Sequence, residues 1–274
     1  MLLHPPLKGR FDCRAAARQS GWGEFDLFTT SHPPRLTVLA DPPPPGESKE
    51  RMLAANACIH YIHRMTYPYP PTFGLVLAGG LARRMGGGDK ARIALGGISI
   101  LDRVLATLSA QCIGIVINAN GDPARFADTG LTVVPDNVAD HPGPLAGILA
   151  GLDWLAAQDN GIEWMLSVPG DCPFLPDDLV ERLHAARRKM GAGVPLACAR
   201  SGEWRHPVVG LWPLALREDL RKALVQEDLR KIEVWTARHG IAIADWPDTP
   251  VDPFFNVNTP EDAARAERIV AGAA

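Results

Sequence analysis

Residues Phe73 to Lys90 read FGLVLAGGLARRMGGGDK, and no other stretch restricts the fold of this chain so strongly. Gly74 to Leu77 is short and apolar, as a buried strand is, and it stops at Gly79-Gly80, where no side chain obstructs the backbone. Arg83, Arg84, three glycines (Gly86, Gly87, Gly88) and then Asp89-Lys90 follow. Backbone N–H groups in a loop of this kind form a concavity that binds anions, and Arg and Lys add charge-assisted bonds to phosphate oxygens. The stretch therefore reads as a phosphate-binding loop at the end of a strand.

Two commoner motifs describe it less well. A Walker A loop needs G-x-x-x-x-G-K-[ST], whereas here Asp89 follows Gly88 and Ala91 follows Lys90, leaving no hydroxyl for a metal. A dinucleotide fingerprint opens directly into a helix, yet Lys90 leads into ARIALGG, whose alternation predicts another extended piece. A basic, glycine-rich surface turn is the plainer alternative, and it loses ground as the later segments are read.

A net charge of -3 gives no global basic excess, so an anion site must be local and nucleic acid is not an expected partner. The five cysteines, Cys13, Cys58, Cys112, Cys172 and Cys198, are widely spaced and form no C-x-x-C pair, which points to a reduced cytoplasmic setting. No apolar run approaches the roughly 18 to 20 residues that span a bilayer, and the N-terminus lacks a signal-type apolar core. Neither export nor membrane association is expected.

Residues 1–71 differ from the rest. They hold 11 of the 25 prolines and no sustained period of 2 or 3.6, too little patterned apolar surface to offset the entropy of ordering. We expect this extension to be largely disordered, with at most a short helix near Arg51 to Met65. Translation beginning at Met65 is a second reading, since MTYPYPPTFGLVLAGG would be an ordinary start.

From residue 72 to 274 strand and helix patterns alternate, which predicts one α/β domain of about 200 residues. Ser99 can cap a helix with an apolar stripe of Ile100, Leu101, Val104, Leu105 and Leu108. Strands are expected at Ile113 to Ile117, Leu131 to Val134, Trp164 to Val168, Val194 to Ala199, Val208 to Trp212 and Ile241 to Ala244. The run from His141 to Gly147 reads as a rigid turn into a helix from Ile148 to Gln158. Asp177 and Asp178 read as first-turn acids of a helix that ends in Arg187, Arg188 and Lys189. Further helices are expected at Leu214 to Val225 and Leu229 to His239, and Thr259-Pro260-Glu261-Asp262 is a strong helix start.

Polar residues stand where these strands end: Asn118-Ala-Asn120, Pro135-Asp136-Asn137, and Pro169-Gly-Asp171-Cys-Pro173. Open α/β sheets bind ligands at such ends. Asp171 is either a turn and cap residue or a metal ligand, and alone it reads more readily as the former. Asn256 and Asn258 face one side if Phe254 to Asn258 is a strand.

Taken together, Leu77-Ala-Gly-Gly80, Arg84-Met-Gly86, Asp89-Lys90, Asn118-Ala-Asn120, Pro142-Gly-Pro-Leu-Ala-Gly147, Pro169-Gly-Asp171-Cys-Pro173 and Asn256-Val-Asn-Thr-Pro260 resemble the molybdenum cofactor guanylyltransferases of the MobA type. The resemblance runs from about Phe73 to the C-terminus. It implies a three-layer, Rossmann-like nucleotidyltransferase fold with a mostly parallel sheet. The implied activity transfers GMP from GTP to the terminal phosphate of molybdopterin, releasing pyrophosphate. By resemblance, Leu77, Ala78, Gly79 and Gly80 contact the nucleotide, Arg84 and Lys90 hold its phosphates, and Asn118 and Asp136 contact guanosine. Asp171 would coordinate Mg²⁺ at the α-phosphate, an ion that suits an oxygen-rich and incompletely dehydrated site. His206, Asn256 and Asn258 are candidates for the pterin side. Transient contact with molybdoenzymes or their chaperones would follow from the product. Two alternatives remain at this point: a cytidylyltransferase acting on the same pterin, and a nucleotide-binding module that delivers cofactor without turnover.

Overall fold

A computed structural model describes residue 63 and residues 67–79, 90–138, 143–191 and 193–272. The short helix expected near Arg51 to Met65, the Met65 start, the glycine-rich segment 80–89 with Gly80 and Arg84, and residues 139–142 lie outside these. Among the described residues seven strands make the central sheet. They are β1 (Thr72–Leu77), β4 (Ile115–Asn118), β5 (Val133–Val134), β6 (Trp164–Pro169), β7 (Leu196–Ser201), β8 (Trp204–Pro213) and β9 (Ile241–Trp246), in the order β5-β4-β1-β6-β8-β7-β9. Parallel pairing joins β5, β4, β1 and β6, and also β7 and β9, while β8 runs antiparallel to both β6 and β7. A mostly parallel sheet with one reversed strand is the result, as the fold class predicts.

Both faces of the sheet are covered, which makes three layers. Helices α1 (Ile100–Ser109), α3 (Leu179–Met190) and α6 (Pro260–Val270) pack on the face that carries Val76, Ile117, Leu166 and Val168. Helices α2 (Pro144–Ala157), α4 (Arg217–Val225) and α5 (Ile232–His239) pack on the face that carries Leu75, Val116 and Met165. Successive strand residues point to opposite faces, so the central strands are apolar almost throughout. Tyr69, just before β1, is buried as well; its ring stacks on His184 and its hydroxyl donates to the Gln111 carbonyl (3.1 Å).

Local sequence signals account for several boundaries. The Ser99 hydroxyl accepts from the Asp102 N–H and caps α1, and Thr259 and Asp262 form a reciprocal capping box at the start of α6. Other boundaries differ from expectation. Helix α2 begins at Pro144, not Ile148, because proline is at home in a first helical turn, where an N–H would have no partner. The extended piece after Lys90 is a single 3₁₀ turn, Lys90–Arg92, followed by the hairpin of β2 (Ala94–Leu95) and β3 (Ile98–Ser99). Gly96 and Gly97 supply the positive φ angles of its two-residue turn. Asp177 and Asp178 precede α3 and do not form its first turn; Asp178 instead accepts from the Trp246 indole (2.8 Å). No described helix is long and apolar enough to cross a membrane.

Candidate active site

The three central strands end level with one another. Leu77 of β1 is in register with Asn118 of β4 on one side and with Pro169 of β6 on the other. Backbone bonds continue past the strand ends, from Ala78 N–H to the Asn118 carbonyl (2.9 Å) and from Gly170 N–H to the Leu77 carbonyl (3.0 Å). Leu77, Ala78 and Gly79, expected at the nucleotide, therefore leave the sheet between the two polar strand ends. Ala78 is buried and Gly79 exposed. The Ala78 carbonyl accepts from the guanidinium of Arg125 (3.2 Å), a residue the sequence reading did not single out. Arg125 lies in a 3₁₀ segment, Pro123–Thr129, started by Asp122, whose carboxylate accepts from the Ala124 N–H. Asp122-Pro123 was the available signal for it.

Asn118 and Asp136 form one unit. The Asn118 amide donates to the Val134 carbonyl (3.1 Å) and to Asp136 (2.9 Å). Asn120 donates to the other Asp136 oxygen (2.8 Å) and accepts from the Asp136 N–H (2.9 Å). Asn118 is buried and Asp136 only partly so, which leaves the carboxylate as the member nearer solvent. Behind them sits Gly147 of α2. A Cβ there would stand 2.3 Å from the Asn118 amide oxygen, so the glycine lets the helix close on the strand ends.

The second cluster gathers around Asp171, just beyond β6. Asn256 donates its amide to the Asp171 carboxylate (3.0 Å), and the Val257 N–H donates to the Asp171 carbonyl (3.0 Å). Lys90 donates its ammonium to Asn258 (2.9 Å), and its charge is felt at Asp171. Phe254 to Asn258 is irregular chain, not the strand expected, because Val257 anchors it through Asp171 and its own burial. Asn256 and Asn258 nevertheless serve neighbouring groups, Asp171 and Lys90. Burial pushes the Asp171 carboxyl above its ordinary value, against the opposing pull of Lys90 and of the Asn256 bond. The adjoining Cys172 thiol is raised further by burial and then by the carboxylates of Asp171 and Asp252, and it donates weakly to Asn256. Such a thiol is packing, not a nucleophile.

His206 lies on β8. Its Nε2 is 2.7 Å from the Ser201 hydroxyl and its ring packs on Phe254 (4.8 Å), while burial pushes its pKa down against Asp252. The Phe254 carbonyl is also the weak acceptor of the Cys172 thiol. His206 thus stands across this loop from Asp171, with no hydrogen bond to it.

Among the described residues no three His, Cys, Asp or Glu side chains gather into a metal-ligating group. The donor set at Asp171 is one carboxylate held by the Asn256 carboxamide. That fits an ion such as Mg²⁺, which takes one or two carboxylates from a protein and completes its shell with substrate phosphates and water.

Residues 74–240 match the family model of the MobA-like NTP transferase domain. A molybdenum cofactor guanylyltransferase from Nitrobacter hamburgensis is 61% identical over 207 residues, spanning 76% of this chain and 98% of that protein. One from Rhodopseudomonas palustris is 57% identical over 201 residues, 73% of this chain and 95% of that protein. Among solved structures, molybdopterin-guanine dinucleotide biosynthesis protein A from Archaeoglobus fulgidus is 24% identical, with a TM-score of 0.56, over 73% of this chain and 99% of that one, a likeness of fold.

Proposed function

This chain belongs to the MobA-like NTP transferase family, and from that premise we propose that it transfers GMP from GTP to the terminal phosphate of molybdopterin, giving the guanine dinucleotide cofactor and pyrophosphate. One observation carries the reading from the side of structure: Lys90, Asp171, Asn256 and Asn258, from three separate segments, meet beside the level ends of β1, β4 and β6. Cation, carboxylate and open backbone meet there at the carboxyl edge of the sheet, where a nucleotide binds in open α/β folds.

The chemistry needs no nucleophile from the protein. An oxygen of the molybdopterin phosphate attacks the α-phosphorus of GTP, the bond to the bridging oxygen breaks, and pyrophosphate leaves with the electron pair. Alignment and charge neutralisation then do most of the catalytic work. Asp171 would hold Mg²⁺, with Asn256 fixing the carboxylate; the ion when bound withdraws charge from the phosphate oxygens. Lys90, tethered by Asn258, places an ammonium beside the same phosphates. Asp136, held by Asn118 and Asn120, offers acceptors to the guanine or ribose. Gly80 and Arg84 belong to the loop segment outside the described residues; by family resemblance alone Gly80 is assigned to the nucleotide and Arg84 to its phosphates. The three described cysteines, Cys112, Cys172 and Cys198, are free and buried, in keeping with a reducing cytoplasmic setting.

The test is pyrophosphate release from GTP and from CTP, with magnesium and molybdopterin. Release with GTP that requires the pterin is the expected result. Preference for CTP would replace guanylyl by cytidylyl transfer, and GTP binding without release would leave a cofactor-delivery module.

A further inference from the structure

Trp204 is the most exposed large apolar side chain among the described residues, with 75% of its surface open. It stands at the tip of the β7–β8 hairpin. Because β8 is antiparallel to β6 and their pairing stops at Ser167 opposite Gly210, residues 204–209 overhang the carboxyl end of β6 where Asp171 lies. The tip is therefore on the catalytic edge of the sheet.

Strand register gives the direction of the ring. Ser201 pairs with Trp204 and Ala199 with His206, and opposed or alternate residues of a hairpin share a face. Ser201, Trp204 and His206 thus form one surface, as the bond between the Ser201 hydroxyl and the His206 ring requires. His206 packs on Phe254, whose carbonyl takes the thiol of Cys172 next to Asp171. Contacts thus run from the neighbourhood of Asp171 through Phe254 and His206 to Ser201, and Trp204 lies next along the same face by strand register. The tip is also fixed in place: Gly202 has a positive φ of 52° and lies so close to Asp248 that a Cβ would be 2.4 Å from its carboxylate.

On the reading above, the nucleotide covers the ends of β4, β1 and β6, so the acceptor must reach the α-phosphorus from the opposite side, over β8 and β7. A lone indole there, flanked by exposed Glu203 and Arg205, makes no broad apolar patch for a protein partner. It is a rigid flat face suited to a flat ring. We propose that Trp204 is the platform on which the pterin ring of the acceptor stacks, a specificity-determining residue for the transfer; this rests on the guanylyltransferase reading.

Trp204→Ala and Trp204→Phe test it in the full chain, by pyrophosphate release at varied molybdopterin and varied GTP and by quenching of tryptophan fluorescence on adding molybdopterin. Stacking on an aromatic side chain predicts a rise of about 5- to 100-fold in the KM for molybdopterin in Trp204→Ala, with the KM for GTP unchanged. Trp204→Phe should recover most of the loss, and the fluorescence response should shrink in both. Thermal unfolding should not move, since the ring is mostly in solvent. An unchanged KM for molybdopterin, or an equal rise for both substrates, would overturn the proposal while leaving guanylyl transfer in place. Absence of pterin-dependent release and of pterin quenching in the unaltered protein would overturn both.

Discussion

Adding one methyl group at Gly147 should damage the nucleotide site more than the fold. The Cβ of Gly147→Ala would lie 2.3 Å from the Asn118 amide oxygen and 2.8 Å from a Leu77 methyl, both well inside an ordinary contact of about 3.5 Å. Replacing a helical glycine by alanine returns about 1 kcal/mol, while overpacking costs about 1–3 kcal/mol, so the net loss of stability is about 0–2 kcal/mol. Relief of the clash requires Asn118 to turn away from Asp136 or α2 to retreat, and a misplacement of about 1 Å in a positioning group can cost about 10²-fold in rate. Gly151, one turn along the same helix, is the control. Its Cβ would be 2.7 Å from a Leu75 methyl and 2.8 Å from the Met165 sulfur, a clash below 3 Å as well but one that involves only core side chains. We therefore expect Gly147→Ala to lower kcat/KM for GTP by about 10²-fold with a small fall in Tm, and Gly151→Ala to lower Tm with kcat/KM per folded molecule retained. Pyrophosphate release at varied GTP, paired with thermal unfolding, reads both quantities. Equal kinetic losses in the two variants, or normal kinetics in Gly147→Ala, would refute the assignment of the Asn118–Asp136 unit to the nucleotide.

Lys90→Ala should cut turnover by about 10²- to 10³-fold, or about 3–4 kcal/mol of transition-state stabilisation, without unfolding the chain; near-normal single-turnover rates would remove Lys90 from the mechanism. Asp171→Asn should abolish magnesium-dependent turnover while leaving stability equal or higher at neutral pH. The raised carboxyl pKa means that folding opposes ionisation, so stability is lost as pH rises through the folded value and the amide is spared that loss; a variant less stable than the parent at pH 7 would assign Asp171 to the turn instead. His184 is buried with its pKa pushed down to about 3 from 6.5, by burial first and then by Arg187 and Arg188. Its contribution is complete above about pH 6.5 and is lost as pH falls toward 3, at up to about 1.4 kcal/mol per pH unit; urea unfolding across that window should give a shallower slope for His184→Gln. A chain beginning at Met65 should match the full chain in turnover, whereas one beginning at Thr72 loses the buried Tyr69 and about 3–5 kcal/mol, read as a drop in urea midpoint.

What could be read from sequence was whatever local chemistry decides. The apolar run ending in glycine gave β1, and the hydroxyls of Ser99 and Thr259 gave two helix starts, because each signal acts within four residues of itself. The reversal of β8 was not read. It follows from the two-residue turn Gly202-Glu203, which permits only an antiparallel neighbour, whereas strands expected at Val194 to Ala199 and Val208 to Trp212 leave too long a gap to reveal it. At the site, the carboxylate and the lysine could be named as chemistry, but their meeting could not be. Asn256 reaches Asp171 across 85 residues of chain, and Asn258 reaches Lys90 across 168. Alternation on a strand predicts that the two asparagines face one side; in the structure the chain is irregular there, with buried Val257 between a half-buried Asn256 on Asp171 and an exposed Asn258 on Lys90. The period-two pattern therefore describes a strand that is absent here, and it is the Val257 N–H on the Asp171 carbonyl that sets the segment against the site.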